Sequence, residues 1–162
     1  MIYILFGLPG VGKTYAGKIF KNRFGYYFYD GDTDMSEEMH TAVRNKELFT
    51  DPMRDEFFER LLKSVKDLAN NHEDLAIAQT FIKEKYRRLF LDAFPRAQFI
   101  LIKSKDAIRE KRLAERTDYP MDRAYVKKMV ANFELPQIPH IIIDNSVNGE
   151  EMISQELANI LK

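Results

Sequence analysis

The glycine-rich stretch "GLPGVGKT", from Gly7 to Thr14, constrains the fold of this chain more than any other feature. It matches the phosphate-loop pattern G-x-x-x-x-G-K-[ST], and it lies between a segment typical of a buried strand and a segment typical of a helix. In such a loop the backbone N–H groups turn inward around phosphate oxygens, and the helix adds the positive end of its dipole. The stretch therefore predicts a strand–loop–helix unit that binds the phosphates of a nucleotide.

The loop residues have specific predicted roles. Lys13 is expected to reach the β- and γ-phosphates of ATP, and the hydroxyl of Thr14 is expected to ligate Mg²⁺. The residues expected to bind ATP are Gly7, Leu8, Pro9, Gly10, Val11, Gly12, Lys13, Thr14 and Tyr15. A glycine-rich turn without a ligand is the alternative, and the lysine and threonine in the required positions argue against it.

Short apolar segments alternate with amphipathic ones along the whole chain. The apolar segments predict strands, buried on both faces, at Ile2–Phe6, Tyr26–Tyr29, Leu75–Ala78, Gln98–Ile102 and His140–Ile143. The amphipathic segments predict helices at Lys13–Arg23, Arg54–Asn70, Lys83–Ala93, Lys105–Arg116 and Gly149–Leu161. Because strand and helix alternate five times, we expect a three-layer α/β/α fold with a five-stranded parallel sheet.

Composition and charge narrow the possible partners. The 162 residues are enough for one domain, spanning 1–162, and the 25 basic residues balance the 25 acidic ones. Because these charges balance, the protein has no net electrostatic field that would attract nucleic acid or an anionic membrane. Cysteine is absent, the apolar start is too short for a signal peptide, and no apolar run reaches the length of a membrane span. We expect a cytoplasmic protein, monomeric or homodimeric, that binds neither nucleic acid nor membrane.

The second predicted strand ends in an acidic stretch, "YYFYDGDTDM". Asp30 and Asp32 are two residues apart, so on an extended backbone they point to the same side, at the edge where parallel sheets bind ligands. One carboxylate could hold Mg²⁺, and the other could accept a proton from an acceptor hydroxyl. A polar turn is the alternative, and the phosphate loop favours function. Asp34 is predicted to cap the following helix, with Glu37 completing a capping box.

The third predicted strand, "DLAIAQT", has no acidic residue at its end. Motor ATPases and GTPases usually place a metal-linked aspartate there, whereas this chain has Gln79 and Thr80. The pair of Asp30 and Asp32 is therefore the more favoured metal site.

With these motifs in this order, the chain resembles the small kinases of the nucleoside-monophosphate-kinase type, and among them the gluconate kinase and shikimate kinase group. The stretches that carry the resemblance are "GLPGVGKT", "DGD", "IKEKYRRLF", "KRLAERT" and "NFELP". The resemblance covers nearly the whole length. It implies a P-loop kinase fold, a small lid at about residues 117–123 and an acceptor-binding helical region at about residues 33–70.

The resemblance also implies roles for residues outside the phosphate loop. Arg54 matches an arginine that grips the anionic group of the acceptor, and Arg116 matches a lid arginine near the adenine. Arg123 is a candidate to reach the transferring phosphoryl group. Asn145 and Ser146, which follow the fifth strand, would lie near the base.

Several of these cations have ordinary alternatives. Lys83 and Arg87 could frame an anionic acceptor or lie on the surface, and Arg54 could form an ion pair with Asp55 or Glu59 instead. On the helical face that precedes the lid, a solvated position is favoured for Arg109.

The chain departs from the gluconate kinase pattern in two places. "TDM" follows "DGD" where those enzymes have an aromatic or apolar residue and then a histidine–proline pair, and "TDYPMD" replaces a histidine–aromatic element in the lid. The resemblance therefore does not identify the acceptor.

These patterns lead to one functional hypothesis, an ATP- and Mg²⁺-dependent kinase acting on a hydroxyl of a gluconate- or shikimate-like sugar acid or related metabolite. Thr14 and Asp30 would position Mg²⁺, and Asp32 would orient and deprotonate the acceptor. A nucleotide or polynucleotide-end kinase is one alternative. A regulatory module that senses a nucleotide without acceptor chemistry is the other.

Overall fold

Five parallel strands form the sheet in the computed structural model, which describes residues 1–117, 121–147 and 149–162. The strands are β1 Ile2–Phe6, β2 Tyr27–Asp30, β3 Leu75–Ala78, β4 Gln98–Lys103 and β5 Ile141–Asp144. Their order across the sheet is β2-β3-β1-β4-β5, and every neighbouring pair is parallel. The strand that precedes the phosphate loop is therefore central, between β3 and β4.

Helices cover both faces of this sheet. They are α1 Lys13–Phe24, α2 Glu37–Arg44, α3 Asp51–Asn71, α4 Glu84–Ala93, α5 Asp106–Ala114, α6 Arg123–Asn132 and α7 Glu150–Ile160, with a 3₁₀ helix at Gly31–Asp34. The predicted helices are present, while α6 was not predicted. Within the described ranges, no helix combines the length and the apolarity that crossing a membrane requires.

Two separate apolar cores confirm the three-layer architecture. On one face, α3 and α4 pack against the sheet through residues such as Phe57, Leu61 and Phe90. On the other face, α1 and α7 pack through residues such as Phe20 and Leu157. Burial on both faces is expected for a parallel sheet. Because β1, β2 and β3 run in the same direction, their carboxyl ends lie at one edge of the sheet.

The two edge strands are less buried than predicted. Tyr27 on β2 is 41% exposed, and Ile142 on β5 is 52% exposed. The apolar runs in the sequence did not distinguish edge from central strands, because an edge strand has a neighbour on only one side. Burial on both faces holds for β3, whose four residues are all buried.

The cap of α2 also differs from the prediction. Ser36 caps this helix, since its Oγ accepts a hydrogen bond from the backbone N–H of Met39 at 3.1 Å. The carboxylate of Asp34 instead accepts hydrogen bonds from the hydroxyls of Tyr29 and Ser64, at 2.9 Å and 3.0 Å. The 3₁₀ helix runs through Asp34 and delays the start of α2, so the predicted capping box with Glu37 is wrong.

Candidate functional site

The phosphate loop lies between β1 and α1, and its conformation depends on glycine. Gly10 and Gly12 have φ values of +82° and +98°, a region that favours glycine over residues with a side chain. A Cβ on Gly10 would lie 2.8 Å from Cγ of Leu113 on α5, and a Cβ on Gly12 would overlap the amide of Asn145. Leu113 and Asn145 therefore contact one side of the loop, and its other side faces the cavity.

The side chain of Lys13 lies across this loop. Its Nζ donates hydrogen bonds to the backbone carbonyls of Gly7 and Leu8, at 2.9 Å and 3.0 Å. Burial lowers the pKa of Lys13 to about 8, and the charges of Asp32 and Asp30 act in the opposite direction. The ammonium group therefore sits in a desolvated place where an anionic phosphate would stabilise its charged form.

Thr14 and Asp30 meet at the mouth of the loop. The hydroxyl of Thr14 donates to Oδ2 of Asp30 at 3.0 Å, and Oδ1 of Asp30 accepts from the backbone N–H of Asp32 at 3.1 Å. Hydroxyl and carboxylate oxygens are the ligands that Mg²⁺ prefers, so these two residues fit the predicted metal site. Over the described ranges no group of three or more His, Cys, Asp or Glu could hold a metal. Phosphate oxygens and water would have to supply the remaining ligands.

Asp32 faces the open cleft and is held by Gln79 at the end of β3. Nε2 of Gln79 donates to Oδ1 of Asp32 at 3.1 Å, and Oε1 of Gln79 accepts from the backbone N–H of Thr80 at 2.6 Å. Part of Asp32 stays in contact with solvent, but the surrounding protein removes much of the water that would stabilise its charge. This desolvation, and next the charge of Asp30, raise the pKa of Asp32. The sequence predicted that Gln79 lies at this edge of the sheet but predicted no role for it. In the structure its amide orients the carboxylate of Asp32.

A cavity of ≈ 280 Å³ connects the phosphate loop with the region beside α2, α3 and α6. The residues that line its phosphate end include Pro9, Gly10, Gly12, Lys13, Thr14, Tyr15, Arg112 and Arg116. The residues that line its other end include Met35, Val43, Phe49, Arg54, Phe57, Phe58, Phe81, Lys83, Tyr125 and Met129. Asp30 and Asp32 lie on the wall between these groups. We call the second region the acceptor end.

Arg54 projects into the acceptor end from the first turn of α3. The helix begins after Thr50, whose hydroxyl accepts from the backbone N–H of Met53 at 3.3 Å. Arg54 is 9% exposed, and Nη1 donates to Oδ1 of Asp51 at 3.2 Å. The partner is therefore Asp51 and not the predicted Asp55 or Glu59. No other hydrogen bond joins this guanidinium to a described residue.

Lys83 and Arg87 occupy different places. Lys83 lines the acceptor end, with Nζ 3.3 Å from Oε1 of Glu134. Arg87 is fully buried and lies outside that lining; it donates to the backbone carbonyls of Phe81, Ile82 and Glu134. The expectation that Arg87 binds the acceptor is wrong in this structure, because its donors hold the chain segment after β3.

The two arginines near the predicted lid, Arg116 and Arg123, occupy different environments. Arg116 lines the cavity, and its charge lowers the pKa values of both Asp32 and Lys13, so it lies within electrostatic reach of the phosphate end. Its expected position near the base stays a prediction. Arg123 is 76% exposed and lies 3.6 Å from Glu110 on α5, outside the cavity lining. The structure does not bring Arg123 to the phosphates. Residues 118–120 of the predicted lid lie outside the described residues.

Arg109 differs from its predicted solvated position. It is 4% exposed, and Nη2 donates to Oδ1 of Asp106 at 3.3 Å. Its backbone carbonyl and Cγ lie against Gly10, so the residue packs behind the phosphate loop.

Asn145 and Ser146 follow β5 and support the loop from the side. Nδ2 of Asn145 donates to the carbonyl of Val11 at 2.8 Å, and the carbonyl of Asn145 accepts from Arg112 at 2.8 Å. The hydroxyl of Ser146 accepts from the backbone N–H of Lys105 at 2.9 Å. Asn145 is buried against the phosphate loop, and Ser146 is half-buried. Their expected positions near the base stay predictions.

Comparisons with known proteins give the fold a family context. A family model described as "AAA domain" matches residues 2–136. Over its whole length the chain is 25% identical to a "Probable gluconokinase" of Dictyostelium discoideum, 86% of which is covered. It is similar to a solved sugar kinase from Janibacter sp., with a TM-score of 0.84 and 20% identity over 97% of this chain and 92% of that one. It is also similar to a gluconokinase from Sinorhizobium meliloti, with a TM-score of 0.80 and 19% identity over 98% and 94%. These likenesses establish the α/β P-loop kinase fold.

Proposed function

The chain belongs to the AAA-domain family of P-loop proteins, and from this premise we propose an ATP- and Mg²⁺-dependent kinase that phosphorylates a hydroxyl of a small metabolite. The observation that carries the proposal is the position of Asp32, on the wall between the phosphate loop and the acceptor end of one cavity. A phosphate loop alone serves many nucleotide-binding proteins, whereas a carboxylate facing an acceptor space suits transfer to an alcohol. The names of the relatives make gluconate the first acceptor to test.

The phosphate end would bind and neutralise the triphosphate. Lys13 would exchange its bonds to the carbonyls of Gly7 and Leu8 for bonds to phosphate oxygens. Thr14 and Asp30 would hold Mg²⁺, which when bound neutralises charge on the β- and γ-phosphates. Arg116, which lines the same end of the cavity, would add further positive charge.

Asp32 would perform the proton transfer. As the acceptor oxygen bonds to the γ-phosphorus, the bond from that phosphorus to the bridging oxygen breaks, ADP leaves, and the hydroxyl proton passes to the carboxylate of Asp32. The raised pKa makes this carboxylate a stronger base than an ordinary aspartate, and the amide of Gln79 fixes the oxygen that faces β3.

Acceptor-dependent release of ADP tests the proposal. The assay uses ATP and Mg²⁺ with sugar acids, sugars, shikimate, nucleosides and nucleoside monophosphates. With the responding acceptor, Asp32→Asn should lower kcat by about 10²–10⁴-fold while the Kd for ATP stays unchanged. Asp92→Asn removes the same charge from the exposed side of α4 and should leave kcat unchanged.

Two other outcomes would replace the proposal. Tight ATP binding without any acceptor response, together with tolerance of Asp32→Asn, would favour the regulatory module. A response confined to nucleoside monophosphates or to 5′-hydroxyl ends of polynucleotides would favour the nucleotide or polynucleotide-end kinase.

A further inference from the structure

The outer edge of β5 carries backbone groups without hydrogen-bond partners. The backbone N–H of Asn145 donates to the carbonyl of Lys103 on β4 at 2.7 Å. In a parallel ladder, alternate residues of a strand bond to the same neighbour, so Ile143 also bonds to β4. The N–H and C=O groups of Ile142 and Asp144 therefore point away from the sheet, where no other strand lies beside β5. Among the residues that the structure describes, none makes a hydrogen bond to these outward groups.

Apolar side chains are exposed at this edge and in the segments next to it along the chain. Ten large apolar residues are exposed in the part of the chain that the structure describes, and six of them lie between positions 130 and 152. These six are Val130, Leu135, Ile141, Ile142, Val147 and Met152. β5 itself exposes three of its four residues, whereas β2, at the other edge of the sheet, exposes one. An edge strand with exposed apolar side chains is typical of a surface that pairs with another strand.

The sequence of β5 is complementary to itself in the antiparallel direction. When Ile142 lies opposite Ile142 of a second copy, the outward backbone groups face each other, and two such residues exchange both hydrogen bonds. The same register sets His140, the residue before β5, opposite Asp144 of the second copy, where an imidazole can hydrogen-bond a carboxylate. A register moved to set Ile142 opposite Asp144 would instead place an apolar side chain against a charge. Charge complementarity therefore favours one register, and that register is two-fold symmetric.

We infer that β5 pairs with β5 of a second copy of this chain, antiparallel and centred on Ile142, so that two five-stranded sheets join into one. Such a contact uses the same surface of both chains, so it closes at a dimer. The paired strands are four residues long and the interface is small, so the dimer should be reversible, with a Kd of about 10–100 µM. The pairing does not depend on the proposed kinase activity.

Sedimentation equilibrium of the whole chain over about 1–500 µM measures this association. The mass should rise from that of one chain toward that of two. Amide hydrogen exchange within residues 140–144 should slow over the same range, because the outward N–H groups become bonded. A protein that stays monomeric throughout would overturn the inference, and so would a dimer whose exchange at these residues is unchanged.

Ile142→Lys tests the two-fold axis. Because Ile142 faces itself in the paired strands, one substitution places two like charges opposite each other and should raise the Kd by at least about tenfold. Ile142→Glu should do the same for the same reason. The side chain is 52% exposed in the single chain, so neither variant should change Tm appreciably. Leu89→Lys, at an exposed apolar position of α4, is the matched control and should leave the Kd unchanged.

A mixture of the two variants separates the proposed register from general damage to the protein. An Ile142→Lys chain paired with an Ile142→Glu chain places opposite charges across the axis, so the mixture should form a heterodimer although each chain alone associates weakly. Native mass spectrometry with one chain isotopically labelled counts the mixed dimers. If both variants keep the Tm of the parent and no mixed dimers form, Ile142 does not face itself and the inference is wrong.

Discussion

Gln79, directly after β3, and Asp32, in the 3₁₀ helix after β2, are joined by a hydrogen bond of 3.1 Å, although they are 47 positions apart in the chain. The contact is possible because β2 and β3 are parallel neighbours, with Asp30 opposite Ala78. It is also close, since a Cβ on Gly31 would lie 3.0 Å from Nε2 of Gln79. The sheet register therefore decides where the proposed base points.

Gln79→Met should lower kcat by about tenfold, because the side chain keeps its volume and loses the donor to Asp32. The hydrogen bond from Gln79 lowers the pKa of Asp32, so its loss should raise that pKa further. The acidic limb of the plot of kcat against pH should then move to higher pH. Gln98→Met, at the amino end of β4 and therefore at the opposite end of the strands, is the matched control and should change neither quantity. A lower kcat with an unmoved acidic limb would show that Gln79 acts only through packing.

Asp32→Asn should stabilise the ligand-free protein at neutral pH. The pKa of Asp32 in the folded state is raised above its ordinary value of 3.8, so the protonated form is the one that folding favours. Below 3.8 the carboxyl is neutral in both folded and unfolded chains. As the pH rises through the folded pKa, ionised Asp32 reduces the free energy of unfolding, and asparagine avoids this loss.

Thermal unfolding measured at about pH 7 and at about pH 4.5 checks this prediction. The gain in Tm should be larger at the higher pH. Asp92→Asn, which removes a charge from an exposed position, should give no such difference. A variant less stable than the parent at neutral pH would mean that the carboxylate contributes more through its bonds than it loses by burial.

Local signals account for what the sequence predicted well. The phosphate loop is one continuous motif, and the central strands are continuous apolar runs, so β1 and β3 begin and end at the predicted residues. The ends of β2, β4 and β5 moved by only one residue. Cellular location and oligomeric state stay predictions, because the geometry of the site bears on neither.

Positions whose role depends on the direction of a side chain were predicted less well. Arg87 lies one helical turn from Lys83, and both were candidates for the acceptor. Packing of the segment after β3 directs Lys83 to the cavity and Arg87 to buried backbone carbonyls. No local sequence feature distinguishes the direction of Lys83 from that of Arg87, because the carbonyls that bind Arg87 belong to residues as distant in the chain as Glu134. The hydrogen bond from Gln79 to Asp32 was not predicted for the same reason, since the two residues are 47 positions apart in the chain.

Lys13 should make ATP binding weaken above about pH 8. Burial lowers its pKa to about 8 in the free protein, so its charge is present below that pH and is lost above it. Bound phosphate would favour the charged form, and binding near pH 8 should therefore take up a proton. Titration calorimetry in buffers of different ionisation enthalpy measures both the Kd and this proton. Lys13→Met should bind ATP more weakly, with no change in Kd across the same range; a persistent change would place the titrating group elsewhere.

Arg87→Met should destabilise the fold by about 3–5 kcal/mol, because it leaves Glu84 and several buried carbonyls without their partner. These carbonyls include that of Phe81, a buried residue with a φ of +49° that the arginine helps to hold. Urea unfolding gives the free energy of unfolding directly. Arg88→Met is the matched control, since Arg88 is exposed and lies 3.8 Å from the same glutamate; its effect should stay below about 1 kcal/mol.

Arg116 and Arg123 should differ sharply as contributors to phosphoryl transfer. Arg116 lines the cavity and its charge acts on Asp32 and Lys13, so it can stabilise negative charge that develops on the transferring group. Arg116→Met should lower kcat by about 10²-fold or more. Arg123 is exposed beside Glu110, and Arg123→Met should change kcat by less than about threefold, as for an exposed ion pair. Single-turnover rates with the responding acceptor isolate the chemical step. A loss in Arg123→Met as deep as that in Arg116→Met would mean that Arg123 leaves Glu110 and enters the site during the reaction.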